Sequence, residues 1–170
     1  VVHGRPDNGL GIALITEMNR VAEENGFIAV YPDGIDQEWN YVRGVPLMQQ
    51  RERDDAEFYR DLIADLSIDL NIDMDRVYLT GFSNGGFMTE RQICESPDTF
   101  AAYAFIGSTL FPGITNLCED APPVPILYMH GNEDVSIPWE GSQQVVPGLS
   151  EAIYISYPVP ATIAYWGTHN

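Results

Sequence analysis

The chain has 170 residues, 45% of them hydrophobic, with 25 acids against 8 bases and a formal net charge of −17. That length and apolar share suit one soluble domain with a sizeable core, and they exclude a disordered or fibrous chain. All eight bases are arginine, and after Arg91 eight acids run unopposed (Glu95, Asp98, Glu119, Asp120, Glu133, Asp134, Glu140 and Glu151), so the surface reads as a solvated acidic shell that repels phosphate backbones and anionic lipid. Neither nucleic acid nor a membrane is an expected partner.

In chain order, Val1-Val2-His3-Gly4 reads as the end of a buried strand rather than a translation start, so the sequence is expected to be a piece without its natural beginning. Residues 9–24 are predicted helical, with Leu10, Leu14, Met18 and Val21 along one face and Asn25-Gly26 as the stop. Residues 27–31 (Phe-Ile-Ala-Val-Tyr) read as a short buried strand ending at Pro32-Asp33-Gly34. Residues 33–53 show little periodicity and read as a long loop, a candidate wall of a binding site. Asp54-Asp55 open the next helix by capping and by complementing its dipole, with Phe58, Leu62, Leu66 and Leu70 along one face.

Further on, strands are predicted at residues 76–80, 103–106 and 124–130, and helices at 86–95 and from Pro160 to the end. No apolar run approaches the ~20 residues that cross a bilayer. Alternating strands and helices imply one α/β domain over 1–170, layered around a mostly parallel sheet. Cys94 and Cys118 allow one disulfide, and with three scattered histidines they do not make a structural zinc set.

The strongest local signal is Gly81-Phe82-Ser83-Asn84-Gly85-Gly86, set directly after a predicted strand and before a predicted helix. A serine on such a turn is lifted clear of the sheet, small residues two before and two after it avoid backbone collisions, and the Asn84 amide is aimed where an oxyanion would form. A serine nucleophile needs a base oriented by an acid, in the chain order serine, acid, histidine. Asp134, in preference to Glu133, follows the strand that ends at His130-Gly131 and is the candidate acid. The Arg5 amide, after strand and glycine, is the candidate second oxyanion donor. His3 and His130 precede strand-end glycines and read as structural. His169 falls in the last predicted helix, before the strand and loop that should bear the base, so the chain is expected to stop short of its catalytic histidine. Trp39, Tyr41 and Trp139 flank the expected site edge and could stack on an aromatic acid or a sugar; packing is the alternative reading for all three.

Six stretches, VVHG at 1–4, GFIAVYPDG at 26–34, DDAEFYRDLIADL at 54–66, NIDMDRVYLTGFSNGGFM at 71–88, CESPDTFAAYA at 94–104 and VPILYMHGNEDVSIPWEG at 124–141, resemble the esterase/polyhydroxybutyrate-depolymerase family of α/β-hydrolases, which includes feruloyl and acetylxylan esterases. The resemblance implies an α/β-hydrolase three-layer sandwich truncated at both ends and a secreted serine carboxylesterase working through an acyl-enzyme without metal or cofactor. It implies Ser83 as nucleophile, Asp134 as triad acid and Asn84 with a residue after His3-Gly4 as oxyanion donors. The family's histidine would follow Asn170, and a cysteine there could pair with Cys94 or Cys118; equally, the two could pair with each other. A peptidase or lactone hydrolase on the same fold, or an inactive fragment without its histidine, are the alternatives.

Overall fold

Three parallel strands, β1 (Tyr78–Phe82), β2 (Ala102–Ile106) and β3 (Ile126–Met129), lie side by side in that order in the computed structural model, which describes residues 1–41, 54–144 and 153–170. Gly81 stands opposite Phe105, and Phe105 opposite Tyr128. Val2 joins the free side of β1 through a parallel bridge at Gly81: its amide donates to Thr80 O at 2.7 Å and its carbonyl accepts from Phe82 N at 3.1 Å. Beyond it, the Val1 ammonium donates to Val30 O at 2.8 Å. The N-terminal segment thus lies along the free side of β1, with Val30 touching it from beyond. The strand expected at 27–31 forms no ladder among the described residues, and Phe27 and Ile28 are exposed.

Helix α4 (Asn84–Glu95) follows β1 and packs on both β1 and β2. Every residue from Gly85 to Cys94 is buried, so this helix carries its polar members Thr89, Glu90, Arg91 and Gln92 into the interior. Phe105, Phe111, Met88 and Ile93 pack in the surrounding core. Cys94 and Cys118 are disulfide-bonded, tying the last turn of α4 to the end of the short helix α5 (Ile114–Leu117). The partner choice left open by the sequence is thus the pairing of the two with each other.

Two expected helix faces are corrected. The segment at 9–24 is two helices, α1 (Gly9–Thr16) and α2 (Met18–Asn25), broken at Glu17, which takes a left-handed conformation with φ 48°. Leu10 and Leu14 are exposed, whereas Gly9, Ile12 and Ala13 are buried. At the start of α1 the approach is close: Gly9 N donates to Asp33 Oδ1 at 2.6 Å, and a Cβ on Gly9 would stand 2.2 Å from Tyr31 O, so a glycine is needed there, while Ile12 supplies the large buried side chain.

In α3 (Asp55–Asp69), Asp54 caps the first turn by accepting from Ala56 N and Glu57 N, as expected, but the buried residues are Asp55, Ala56, Tyr59 and Ile63 rather than the series from Phe58 to Leu70. The sequence reading also passed over the antiparallel pair β4 (Ser142–Gln144) and β5 (Ile153–Ser156). The last helix, α6 (Val159–His169), begins one residue before its expected start. Of the long loop at 33–53, residues 42–53 lie outside the described residues. No helix among the described residues is long and apolar enough to cross a membrane.

Candidate active site

Between β1 and α4 the chain turns at a single residue. Ser83 has φ 53° and ψ −117°, a region that costs a non-glycine residue about 1–3 kcal/mol and persists only where its surroundings enforce it. They do so through two glycines. A Cβ on Gly81 would lie 2.1 Å from Gly85 O, and one on Gly85 would lie 2.5 Å from Val2 O and 2.6 Å from His3 O. The Ser83 amide donates to Ile106 O at 2.8 Å, and its carbonyl accepts from Phe87 N at 3.0 Å. Its side chain makes no capping bond to α4, so the half-buried hydroxyl is not committed to the helix that it begins. Asn84 is the first residue of that helix, where a backbone N–H has no intrahelical acceptor.

Gly4 lies against this turn: a Cβ there would stand 3.3 Å from Ser83 Cβ. Arg5 follows it, with its Nε 2.7 Å from the carboxylate of Glu38. His3 is fully buried, and both of its ring nitrogens are engaged: Nε2 accepts from Gly34 N at 2.9 Å, so Nδ1 carries the proton and donates to Gly4 O at 2.7 Å.

Asp134 sits at the carboxyl end of β3, in a turn that its own side chain closes. Its Oδ1 accepts from Ser136 N at 2.8 Å and Ile137 N at 2.9 Å. Its Oδ2 lies 3.8 Å from the Cβ position of Gly107, the residue after the Ile106 carbonyl that holds Ser83. Ser83 and Asp134 thus flank the same two residues at the carboxyl end of β2. Glu133 is exposed. His130 faces Ser108 O at 3.3 Å through Nδ1 and Ile137 O at 2.8 Å through Nε2, with Asp134 Oδ2 4.0 Å away. It pins the acid-bearing turn to the end of β2.

His169 is at the other end of the molecule. Val159, at the start of α6, donates to Trp139 O near the acid turn, whereas Asn170, after its last turn, accepts from Val124 N, just before β3 begins. His169 therefore lies toward the amino-terminal edge of the sheet, stacked on Tyr165 at 5.7 Å.

The three aromatic candidates part company. Trp39 is 3% exposed, with its ring 5.5 Å from that of Tyr59 and 5.1 Å from that of His3; a substrate-stacking role is corrected to a core one, because little of the indole is left open. Tyr41 is half-buried, stacked on Phe87 at 4.8 Å and edge-on to Phe111. Trp139 is half-buried with its ring 6.4 Å from that of His130, beside the acid turn.

Sequence reasoning passed over the polar contacts that hold residues 38–41. The Asn84 side chain accepts from Trp39 N at 2.6 Å and donates to Trp39 O at 3.3 Å. Fully buried Arg91 donates to Asn40 O and pairs with Glu95 at 2.6 Å, while Asp55 accepts from Asn40 N at 2.6 Å. The helix expected at 86–95 left Asn84 in the turn; with Asn84 as its first residue, the seven-residue spacing to Arg91 puts the two on one face. Among the described residues no group of three or more His, Cys, Asp or Glu side chains is arranged to hold a metal ion.

Residues 1–154 match the family model for phospholipase/carboxylesterase. The chain is 28% identical over 160 residues to NocK of Nocardia uniformis subsp. tsuyamanensis, a protein described as an esterase, covering 94% of this chain and 46% of NocK. It is 32% identical over 136 residues to feruloyl esterase B of Piromyces equi, covering 76% of this chain and 24% of that protein. In fold it is similar to a crystal structure of a thermostable esterase, with a TM-score of 0.59, 24% identity, and coverage of 82% of this chain and 39% of that one. The chain thus spans less than half the length of each.

Proposed function

The chain belongs to the phospholipase/carboxylesterase family, and from that premise we propose that it forms the nucleophile-bearing core of a serine carboxylesterase. The observation that carries this reading is Ser83 itself: a non-glycine residue at φ 53°, enforced by glycines on both sides, with its hydroxyl uncommitted. Strain of this kind persists where function requires it.

In the proposed reaction, Ser83 Oγ attacks the ester carbonyl carbon while its proton passes to an imidazole. The carbonyl π pair moves onto oxygen, where the Asn84 and Arg5 amides donate to it; each such donor is worth roughly 2.7–4 kcal/mol of barrier. The intermediate collapses, the alcohol leaves with the proton from the imidazolium, and water then cleaves the acyl-serine to the acid and free Ser83. Asp134 suits the orienting role, because Oδ1 is committed to two amides and Oδ2 remains to accept from an imidazole N–H. The base in this reading follows Asn170: both ring nitrogens of His3 are hydrogen-bonded, those of His130 face the Ser108 and Ile137 carbonyls, and His169 lies toward the opposite sheet edge.

Esters of aromatic or sugar-linked acids, the feruloyl and acetyl-xylan type, are the proposed substrates, and Trp139 beside the acid turn is the aromatic best placed to stack on one. Polyesters of the polyhydroxybutyrate kind find no specific support in the relatives named above. The Cys94–Cys118 disulfide supports an oxidising, extracytoplasmic setting.

A fluorophosphonate probe on the intact protein tests the nucleophile: one adduct by intact mass, mapped to Ser83 and lost in Ser83→Ala together with p-nitrophenyl acetate hydrolysis, is the expected result. Hydrolysis at the parental rate by Ser83→Ala would overturn the assignment.

A further inference from the structure

Four consecutive residues, 38–41, are held by directional polar contacts, some of which reach the two candidate oxyanion donors while the others anchor the segment to α3 and α4. Glu38, buried to 8% side-chain exposure, pairs at 2.7 Å with the exposed guanidinium of Arg5. The Trp39 backbone exchanges two hydrogen bonds with the Asn84 side chain, its amide donating at 2.6 Å and its carbonyl accepting at 3.3 Å. The Trp39 indole N–H donates to His3 O at 3.1 Å, one residue before Gly4. Asn40 is clamped from both sides, to Asp55 of α3 and to Arg91 of α4, and Tyr41 stacks on Phe87 of α4.

Each donor N–H shares a peptide plane with a bonded carbonyl: that of Asn84 with Ser83 O, which accepts from Phe87 N at 3.0 Å, and that of Arg5 with Gly4 O, which accepts from His3 Nδ1 at 2.7 Å. Those bonds orient each plane but do not tie the exposed turn at Arg5 to the start of α4. A donor that stabilises developing charge works by being in place before the charge appears, and a misplacement of about 1 Å can cost about a hundredfold in rate. A segment that binds the side chains of both donor residues sets the spacing between their amides.

We infer that residues 38–41 act as a strap that fixes both backbone donors of the oxyanion site, with the Glu38 carboxylate and the Asn84 side-chain amide as its positioning groups. The inference rests on the esterase reading above, and it gives Asn84 two separate duties: its backbone N–H meets the oxyanion, and its side chain holds the strap.

The test compares Asn84→Ala and Glu38→Gln with the parent and with Glu24→Gln, which alters only an exposed pair with Arg20. Each intact protein is assayed for hydrolysis of an aryl acetate, for inhibition by an aryl trifluoromethyl ketone, whose serine adduct carries an oxyanion, and for inhibition by the product acid. Both strap variants are expected to lose about tenfold to a hundredfold in kcat/KM. Inhibition by the ketone should weaken in step while inhibition by the product acid stays within about twofold, and Glu24→Gln should match the parent. Fluorophosphonate labelling of Ser83 should persist in both, at a reduced rate.

Parent-like turnover and ketone inhibition in both strap variants would overturn the inference while leaving the esterase reading intact. Equal weakening of ketone and product acid would also overturn it, since that marks general damage to the site. A parent that neither hydrolyses the ester nor takes the probe would overturn the esterase reading itself. If Asn84→Ala fails to fold, Glu38→Gln decides alone by the same readouts.

Discussion

Glu90 is the residue whose chemistry is least explained by the proposed reaction. It lies fully buried in α4, its Oε1 accepting from Ser108 Oγ at 3.0 Å. Burial raises its pKa to about 8, against a smaller opposing pull from Ser108 and the Trp166 indole. Between its ordinary value of 4.5 and about 8, the folded protein therefore holds a proton that the unfolded chain has released. Stability must fall as pH rises through that window, and its full contribution is present only below the ordinary value.

Glu90→Gln keeps an acceptor for Ser108 and cannot ionise. The variant is expected to match the parent in thermal midpoint near pH 4.5 and to exceed it increasingly up to pH 8, where the difference is on the order of a few kcal/mol. Thermal melts of both proteins at four or five pH values measure this. A constant offset across that range would show that Glu90 does not titrate on unfolding.

At the scale of elements, the disulfide makes the plainest prediction. It joins α4 to α5 across a sequence separation of 24 and is wholly within the core. A closed loop of that size restricts the unfolded chain by about 3 kcal/mol. The Cys94→Ala/Cys118→Ala double variant should lose that much in urea unfolding, and reductant should lower the parent's midpoint but not the variant's. If reductant left the parent unmoved after its thiols had been shown to be free, the bond would contribute nothing to stability.

The elements also show what was legible in the sequence and why. The elbow was legible because its requirements are compressed into six adjacent residues, and so was the acid turn, where a strand, a glycine and Asp134 follow in order. Helix faces were not. In α3 the true seam joins Asp55, which holds a backbone amide, to Tyr59, which stacks on Trp39, and a hydrophobic count cannot register a polar anchor. In α1 the seam runs through Gly9, Ile12 and Ala13, set by the close approach of residues 31–33 at Gly9, and a hydrophobic count does not register a glycine. The strap stayed hidden for a related reason: residues 38–41 are far in sequence from their partners in α3 and α4, and only folding brings these hydrogen bonds together.

At the scale of the whole molecule, charge is the dominant variable, with 25 acids against 8 bases. Two opposing terms respond to salt. Exposed like charges repel and are screened within about 10 Å at 0.1 M, which favours folding as salt rises. Ion pairs are screened too, but Arg91 is fully buried against Glu95 and the Glu38 carboxylate is nearly so, and buried pairs respond much less. Repulsion should therefore prevail: at pH 8 the thermal midpoint is expected to rise steadily between about 10 mM and about 0.5 M NaCl. The same experiment separates surface from core, because acidification relieves repulsion and also favours protonated Glu90. Salt acts on the first and barely on the second, so the gain from Glu90→Gln at pH 8 should persist undiminished at high salt while the parent's own pH dependence flattens. A midpoint that fell with salt would mean that the arginine pairs, few as they are, outweigh the acidic surface.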